Sequence, residues 1–531
     1  MPASATSPDE RPRDAAGAPG RTGAMTPALF DEGPFAPCPA PFNMAAHSFA
    51  AGARTPGKIA LEVLSAPGTV AESWTYGALI EAVRRTAGGL ARHGIGRGDR
   101  LLLRLSATSD FPLLFFAANA LGAVPVPTSP LLTPAEIAVL VADLDPALIC
   151  CGPGLALPDP PGAPVLGPDA IAALREAPPA DFAETRPDDP AFMIYTSGTG
   201  GRPKGVLLAQ RAAWARRMMW DGWYGLTPGD RVLHAGAFNW TYTLGAGLTD
   251  PWAIGATALL YAGPPDRAVW PALAARHGAT IFAAVPGIYR QMLGADLSGF
   301  ATLRHGLSAG EALPDWVSRD WTAGTGRPIF EALGMSEIST YLSFSPARPP
   351  VPGRVGRPQP GRRVAILPDE GTEPVPRGAP GLLAVSSRDP GLMLGYWRRP
   401  TETAAAFRGE WFLTGDRASM DRDGAIAYLG RADDLMNAGG YRVSPAEVEA
   451  ALLAHPGIAE AAAIAEPVRD GVSIIAAYYV PRAEPLPETE LAAHCAARLA
   501  RYKCPRRFVA LEALPRSANG KLMRRALKEA G

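Results

Sequence analysis

Hydroxyl side chains, glycines and one lysine follow directly after an apolar segment in the middle of the chain. Residues 192–195 read as a buried strand, and the polar residues after it include Thr196, Ser197, Gly198, Thr199 and Lys204. Glycines let backbone N–H groups approach an anion, hydroxyls donate further hydrogen bonds, and the lysine adds a positive charge. A Walker A loop would read Gly-Lys-Ser/Thr, whereas Lys204 follows a proline and precedes a glycine. The stretch therefore predicts a phosphate-binding loop of another type.

The loop resembles the nucleotide loop of the adenylate-forming superfamily, which includes acyl-CoA synthetases, peptide-synthetase adenylation domains and luciferases. The usual loop reads Thr-Ser-Gly-Thr-Thr-Gly-x-Pro-Lys-Gly, and the second threonine of its pair is Gly200 here. This departure removes one of the family's hydroxyl contacts to the β- and γ-phosphates. The resemblance implies that the chain binds ATP with Mg²⁺ and uses coenzyme A as a cosubstrate.

Two later segments resemble nucleotide-binding loops of the same superfamily, in the same order. Residues 308–314 look like the adenine-side loop, and residues 331–337 are similar to the family's Tyr-Gly-Met-Thr-Glu. By this resemblance Ser336 contacts the α-phosphate, and Glu337 holds Mg²⁺, a cation that prefers oxygen ligands. The aromatic residue that commonly flanks adenine is Leu333 here, so aromatic stacking is lost at that place. The nucleotide-binding residues implied in these two segments are Gly310, Glu311, Glu331 and Ala332.

A further motif points to the ribose and to a hinge. Residues 411–416 resemble the family's Tyr-x-x-Thr-Gly-Asp, which implies that Asp416 accepts hydrogen bonds from both ribose hydroxyls. Arg431 would then contact ribose or phosphate. Asp433 matches the position about which the family's small domain rotates.

The C-terminal motifs resemble those that serve the thiol and the chemical step. Gly439 and Gly440 precede Tyr-Arg-Val, which is similar to the family's Gly-Tyr/His-Arg-Ile/Val. The resemblance implies that these glycines line the pantetheine tunnel and that Arg442 faces a phosphate; an ordinary turn is the alternative. Lys521 stands in Pro-Arg-Ser-Ala-Asn-Gly-Lys, which resembles the family's terminal motif, and by that resemblance it is the catalytic lysine.

Composition and charge exclude other classes of function. The 531 residues carry 51 Lys and Arg against 51 Asp and Glu, so no net field attracts nucleic acid or an anionic membrane surface. No apolar run is long enough to span a bilayer. Five cysteines without C-x-x-C spacing indicate neither a disulfide framework nor a zinc site. We therefore expect a cytoplasmic protein without nucleic-acid or membrane partners. The oligomeric state stays open, with a homodimer as one alternative.

Alternating strand and helix patterns predict the fold class. Thr133-Pro-Ala-Glu136 is a capping box with proline at the first helical position, and similar units recur along the chain. They predict an α/β fold with a large N-terminal domain of helix-covered parallel sheets, a β-rich subdomain and a small mobile α+β C-terminal domain. The expected division is a disordered leader over 1–38, the large domain over 39–430, a hinge over 431–433 and a small lid domain over 434–531.

The segment after the nucleotide loop indicates the acid. Residues 234–245, together with residues 42–45, look most like the benzoate-CoA ligase branch of the superfamily. Trp240 and Tyr242 would present flat apolar walls to an aryl or alicyclic acid, with Gly334 in the same pocket; core packing is an equal alternative for either aromatic residue. His234 is expected to be a structural histidine whose hydrogen bonds are satisfied, and not a base.

These features lead to one functional hypothesis and three alternatives. We expect an ATP-dependent acid–thiol ligase that adenylates a benzoate-like acid, releases pyrophosphate and transfers the acyl group to coenzyme A. The alternatives are a short- or medium-chain acyl-CoA synthetase, a stand-alone adenylation enzyme that loads a carrier protein, and a silent nucleotide-binding regulator. The last would be expected to lack Lys521 or Glu337, and both are present.

Overall fold

Five sheets and a separate hairpin make up the described part of the chain. The computed structural model describes residues 26–197, 203–236, 238–264, 266, 268–310, 313, 315–431, 436–438, 441–443, 445–469, 472–515 and 524–527. The elements up to residue 181 are β1 (Leu29–Asp31), α1 (Met44–Phe49), β2 (Ile59–Ala66), β3 (Thr69–Thr75), α2 (Tyr76–Arg92), β4 (Arg100–Arg104), α3 (Asp110–Ala120), β5 (Val124–Pro127), α4 (Pro134–Leu144), β6 (Leu148–Cys151), β7 (Val165–Leu166) and α5 (Pro168–Ala173).

The middle of the chain continues the alternation. Its elements are β8 (Pro190–Ser197), β9 (Pro203–Ala209), α6 (Arg211–Ala215), β10 (Arg231–Ala235), α7 (Thr241–Leu244), α8 (Asp250–Ile254), β11 (Thr257–Tyr261), α9 (Val269–His277), β12 (Ile281–Ala284), α10 (Pro286–Met292), β13 (His305–Ala309), α11 (Asp315–Thr325), β14 (Ile329–Met335), β15 (Ser339–Ser343) and β16 (Arg357–Pro358).

The last part is rich in strands. Its elements are β17 (Arg363–Leu367), β18 (Gly381–Ser386), β19 (Gly395–Tyr396), α12 (Pro400–Ala405), β20 (Phe407–Arg408), β21 (Trp411–Met420), β22 (Ile426–Arg431), β23 (Met436–Ala438), β24 (Tyr441–Val443), α13 (Pro445–Leu453), β25 (Ile458–Arg469), β26 (Val472–Pro481), α14 (Glu488–Ala496), β27 (Arg507–Ala510) and α15 (Arg524–Leu527).

Two sheets of the large domain are built on parallel strands, as the sequence predicts. A nine-stranded sheet has the order β16-β15-β14-β13-β12-β10-β11-β2-β3, with parallel strands from β14 to β2 and antiparallel strands at both edges. A four-stranded parallel sheet has the order β5-β4-β6-β7. Every residue of β5 and β6 is buried. The sheet shares one core with α2 and α3 and a second core with α4 and the hairpin of β8 and β9. The predicted capping box is present at α4, where Thr133 and Glu136 each satisfy the other's backbone N–H.

The strands around the predicted phosphate loop run in an unexpected direction. The loop does follow a strand end, but β8 and β9 form an antiparallel hairpin in a three-stranded sheet with β19 instead of belonging to a parallel sheet. A short polar connection suits a hairpin, since parallel strands need a long crossover.

The beginning of the fold also differs from expectation. Residues 29–31 form β1, which pairs with β17 in an antiparallel six-stranded sheet that contains the predicted β-rich segment. The predicted leader over 1–38 is therefore too long at its C-terminal end. A strand of three residues carries too little periodicity to be recognised before its partner is known.

The small domain has its own core. Strands β25, β26 and β27 form one sheet, and α13 and α14 pack against it. The buried core between them includes Val448, Leu452, Ile475 and Leu491. The hairpin of β23 and β24 projects from this domain toward the large one, where Tyr441 contacts Trp240.

Candidate functional site

A cavity of about 770 Å³ lies where the two domains meet. Its wall is formed by the ends of β8 and β9, the hairpin of β14 and β15, the turn before α7, the N-terminal half of α4, and residues of α13 and the segment after α14. The predicted site residues that line it are Thr196, Lys204, Trp240, Tyr242, Gly310, Gly334, Ser336 and Glu337. Residues that are far apart in the sequence and were assigned to phosphate, metal and acid thus face one space.

The hairpin of β8 and β9 places Lys204 beside Thr196. The two residues are cross-strand partners in β8 and β9, and Ser197 pairs with Pro203. The lysine therefore stands on a strand and not in the loop itself. Its Nζ lies 2.5 Å from Oε2 of Glu402 and 5.1 Å from the centre of the Tyr396 ring. The ammonium is thus already paired with a carboxylate at the cavity wall.

The hairpin of β14 and β15 carries Ser336 and Glu337 in its turn. Glu337 is 8% exposed, and its Oε1 accepts a hydrogen bond of 2.8 Å from the Tyr396 hydroxyl. Gly334 lies where the strands approach closely, since a Cβ there would meet Ser339 O and Thr340 Cα at 2.5 Å each. The glycine is therefore needed for the hairpin as well as for open space in the cavity.

The Glu337 carboxylate fits the Mg²⁺ that the resemblance implies. Mg²⁺ at phosphate-transfer sites is commonly held by one or two carboxylates together with substrate phosphates, and it retains several waters. Glu337 supplies one carboxylate at the cavity wall. Tyr396, which donates a hydrogen bond to this carboxylate, also lies beside Lys204 in β9. Within the described ranges, no group of three or more His, Cys, Asp or Glu side chains is arranged to hold a metal.

Two buried arginines fix the hairpin from behind. Arg216 binds Asp250 through Nε at 2.9 Å and also donates to the Ser339 hydroxyl. Arg362 donates to Asp389 at 2.7 Å and to the Thr340 carbonyl at 2.9 Å. Each ion pair is buried, so breaking one would leave an uncompensated charge. Ser339 has a φ of 64°, an unusual backbone state for a residue with a side chain, which these contacts hold in place.

The predicted adenine and ribose residues take several positions. Gly310 directly follows β13 and lines the cavity. Its φ of 101° is a backbone conformation that favours glycine. Glu331 accepts a hydrogen bond of 2.8 Å from the Leu313 backbone N–H, which ties the segment after β13 to β14. Ala332 is buried in β14, and Asp416 is 2% exposed in β21 beside Gly415, which lines the cavity.

Several predicted residues lie outside the described part. These are Gly198, Thr199, Glu311, Asp433, Gly439, Gly440 and Lys521. Arg431 is placed only by its backbone, which pairs with Asp416, and Arg442 only by its place in β24 opposite Asn437. The roles assigned to all of these residues stay predictions.

Tyr242 lines the cavity, and His234 is its buried neighbour. The Tyr242 hydroxyl contacts the Leu307 carbonyl at 3.2 Å, and burial raises the pKa of this hydroxyl well above its usual range. His234 packs edge-on against the Tyr242 ring at 4.6 Å, and its ring nitrogens have no hydrogen-bond partner among the described residues. Burial lowers the pKa of His234 to about 3, so the ring is neutral at pH 7. The ring is therefore buried and neutral, but within the described part of the chain it lacks the hydrogen-bond partners that were expected for a structural histidine.

Trp240 stands at the domain interface. Its ring meets Tyr441 edge-on at 5.2 Å, and Tyr441 stacks on Tyr502 at 3.8 Å. Trp240 therefore faces both the cavity and the small domain.

The sequence analysis missed many residues of the cavity wall, among them Tyr396, Glu402, Lys503 and Glu136. Tyr396 lies in a Gly-Tyr-Trp segment and Glu402 lies after it, where no motif was recognised, and Lys503 resembles any surface lysine in the sequence. Glu136 was identified only as a helix cap. A local pattern gives no signal for these contacts, because each joins residues from different elements.

No helix among the described residues has the length and apolar character needed to cross a membrane.

Comparison with known proteins identifies two matching family models. Residues 49–397 match the AMP-binding enzyme family, and residues 447–521 match the AMP-binding enzyme C-terminal domain. A 3-hydroxybenzoate–CoA ligase from Aromatoleum sp. (strain CIB) is 33% identical over 486 residues, which cover 86% of this chain and 92% of the relative.

Solved structures of similar proteins share the fold over nearly the whole chain. A double mutant of o-succinylbenzoate CoA synthetase from Bacillus subtilis, bound with its product analogue, has a TM-score of 0.82 at 26% identity and covers 92% of this chain and 98% of its own. ATP-bound MatB from Rhodopseudomonas palustris has a TM-score of 0.69 at 28% identity, with the same coverage of each chain. Since these matches span both domains and the cavity between them, the chain belongs to the AMP-binding enzyme family as an ATP-dependent acid–CoA ligase.

Proposed function

We propose that the chain joins an aryl or alicyclic carboxylic acid to coenzyme A in two steps, by way of an acyl adenylate and with release of pyrophosphate. The observation that carries this proposal is the single cavity in which Lys204 and Thr196, Ser336 and Glu337, and the aromatic wall of Trp240 and Tyr242 meet. Phosphate-binding, metal-binding and flat apolar groups are the three kinds of surface that such a reaction needs.

The first step brings two anions together. A carboxylate oxygen of the acid attacks the α-phosphorus of ATP, a new O–P bond forms, and the bond from that phosphorus to the bridging oxygen of pyrophosphate breaks. Positioning and positive charge do most of the work in such a transfer. Lys204 holds the departing pyrophosphate, Ser336 contacts the α-phosphate, and Lys521 bridges the carboxylate and the phosphate. Mg²⁺, held by Glu337, supplies further neutralisation of phosphate charge when it is bound.

Other residues complete the nucleotide site in this proposal. Asp416 binds the ribose hydroxyls, and Gly310, Glu311, Glu331 and Ala332 surround the adenine. Arg431 serves the ribose or phosphate next to the hinge at Asp433.

The second step transfers the acyl group. The thiolate sulfur of coenzyme A attacks the acyl carbonyl carbon, a C–S bond forms, and AMP leaves as the C–O bond to its phosphate breaks. The segment with Gly439 and Gly440 lines the pantetheine path, and Arg442 faces a phosphate of the cosubstrate. One orientation of the small domain cannot serve both steps, so the domain rotates between them about the hinge.

We infer that the small domain is oriented here for acyl transfer. β24 lies against the large domain, with Tyr441 on Trp240. In addition, the TM-score is higher with the product-analogue complex of o-succinylbenzoate CoA synthetase than with ATP-bound MatB, although identity and coverage are similar. We infer that the angle between the domains is closer to that of the product-analogue complex.

The choice of acid rests on the cavity wall and on one relative. Trp240 and Tyr242 present apolar ring surfaces, and the relative from Aromatoleum is named for a hydroxybenzoate. A short- or medium-chain acyl-CoA synthetase, or an enzyme that loads a carrier protein, is the alternative.

A substrate screen tests the proposal. Pyrophosphate release is measured with benzoate, hydroxybenzoates, cyclohexanecarboxylate, fatty acids and amino acids, each with and without coenzyme A. We expect release with cyclic acids and CoA-dependent formation of a thioester. Turnover of straight-chain acids or amino acids alone would contradict the aryl assignment, and no pyrophosphate exchange with any acid would contradict the adenylation step.

A further inference from the structure

Glu136 uses its two carboxylate oxygens for different purposes. Oε2 accepts hydrogen bonds from the Thr133 backbone N–H at 2.9 Å and from the Thr133 hydroxyl at 3.0 Å, which completes the cap of α4. Oε1 accepts from the Ala500 backbone N–H at 3.0 Å and from Nζ of Lys503 at 3.2 Å. The first pair of contacts lies within the large domain, and the second pair joins it to the small domain.

The contact with Lys503 is buried on both sides. The side chains of Glu136 and Lys503 are 11% and 10% exposed, and Nζ also lies 2.6 Å from Glu447 Oε1 within the small domain. Burial lowers the pKa of Lys503, but Tyr502, Glu447 and Glu136 raise it by more, so the net pKa lies above the usual range. The lysine is therefore charged at neutral pH and needs both carboxylates nearby.

The same part of the small domain contacts the site. Lys503 follows Tyr502, which stacks on Tyr441, and Tyr441 packs on Trp240 at the cavity wall. The small domain is thus attached to the large one at two places, through Lys503 on Glu136 and through Tyr441 on Trp240. Together with the covalent connection between the domains, two separated contacts fix the orientation of the small domain, whereas one contact leaves it free to turn.

We propose that Glu136 is a positioning residue that holds the small domain in the orientation for acyl transfer. The inference rests on the two-step function proposed above. Rotation about the hinge carries Ala500 and Lys503 away from Glu136, so this contact belongs to one orientation. The cap of α4 uses the other oxygen and is kept in both orientations. Glu136 therefore favours the second step without contacting the reacting atoms.

Separate assays of the two steps test this role. Thioester formation is followed in a single turnover from supplied acyl adenylate and coenzyme A, and adenylation is followed by ATP–pyrophosphate exchange. Glu136→Gln removes the charge that attracts Lys503, and Lys503→Met removes the partner from the other domain. We expect each variant to slow thioester formation by about tenfold, with pyrophosphate exchange kept within about twofold. The double variant is expected to be no slower than the slower single variant.

Thr133→Ala is the matched control. It weakens the cap of α4 but leaves the oxygen that faces Ala500 and Lys503, so both steps should stay within about twofold of the unmodified protein. The positioning role is wrong if Glu136→Gln and Lys503→Met form thioester at the unmodified rate, or if both steps fall equally in a variant with an unchanged thermal midpoint. If one variant does not fold, the other decides by the same criteria. Failure of the unmodified protein to form any thioester would instead overturn the proposed function.

Discussion

The Tyr396 hydroxyl donates a hydrogen bond of 2.8 Å to Oε1 of Glu337, and the same ring lies 5.1 Å from Nζ of Lys204. One tyrosine thus contacts both the carboxylate proposed to hold Mg²⁺ and the lysine proposed to bind phosphate. These residues come from β19, the turn after β14, and β9, which converge only in the folded chain.

This relationship predicts a graded response to magnesium. Glu337→Gln should reduce ATP–pyrophosphate exchange by at least about 100-fold, because it removes the carboxylate proposed to hold the cation. Tyr396→Phe keeps the ring beside Lys204 but loses the hydrogen bond, so the magnesium concentration for half-maximal exchange should rise by about tenfold. Exchange measured over a series of magnesium concentrations separates the two variants. An unchanged magnesium dependence in both would contradict the assignment of Glu337.

The pairing of Lys204 with Glu402 predicts opposite effects on ATP binding. Lys204→Met should raise the KM for ATP, since the positive charge for the phosphates is lost. Glu402→Gln should lower that KM by about two- to fivefold, because the carboxylate no longer competes for the lysine; the pair is partly exposed, so the effect is modest. Glu410→Gln, which removes an exposed partner of Arg363 outside the cavity, is the control and should leave the KM unchanged. A higher KM in Glu402→Gln would show that the carboxylate does not compete.

Gly334→Ala is expected to damage both stability and activity. The added Cβ would lie 2.5 Å from Ser339 O and Thr340 Cα, so the hairpin that carries Ser336 and Glu337 must shift. Such overpacking costs about 1–3 kcal/mol in the free energy of unfolding. Thermal unfolding and thioester formation measured side by side should both decline. Gly57→Ala, where a Cβ would meet nothing within 4 Å, should change neither.

Lys521→Ala should separate the two steps in the sense opposite to that expected for Glu136. We expect loss of adenylate formation with thioester formation from supplied acyl adenylate retained, because the lysine is proposed to act only on the carboxylate and the α-phosphate. Pyrophosphate exchange and single-turnover transfer measure the two steps. Equal loss of both would refute this division of labour.

Buried His234 predicts a decline of stability in acid. Its pKa is lowered to about 3 by burial, so below about pH 6.5 the unfolded chain binds a proton that the folded chain does not. The free energy of unfolding should therefore fall by up to about 1.4 kcal/mol per pH unit between pH 6.5 and 3 from this residue. His47 and His305, with pKa values lowered to about 4, contribute with the same sign.

The test is the thermal midpoint at pH 7 and pH 5. His234→Leu should show a smaller loss between these pH values than the unmodified protein, because one of the imidazoles with a lowered pKa is gone. His93→Leu, which changes an exposed histidine, is the control. An equal loss in His234→Leu would mean that the ring is protonated in the folded state.

The sequence by itself determined features that depend on neighbours along the chain. The capping box of Thr133 and Glu136 is present, the alternating patterns form parallel sheets, and residues such as Ser336 and Glu337 lie together because they share one turn. Side-chain type and spacing within about ten residues are enough for such predictions, since caps, turns and periodic faces are local.

Only the tertiary structure decided how distant residues meet. The hairpin of β8 and β9 places Lys204 opposite Thr196, β1 joins a sheet through residues more than 300 positions away, and Glu136 binds Lys503 across 367 positions. The capping pattern predicted the hydrogen bond of one Glu136 oxygen to Thr133 but did not indicate what the other oxygen would bind. Contacts of this kind depend on how whole elements and domains pack, and that packing is set by the combined burial of many side chains, which no short stretch of sequence contains.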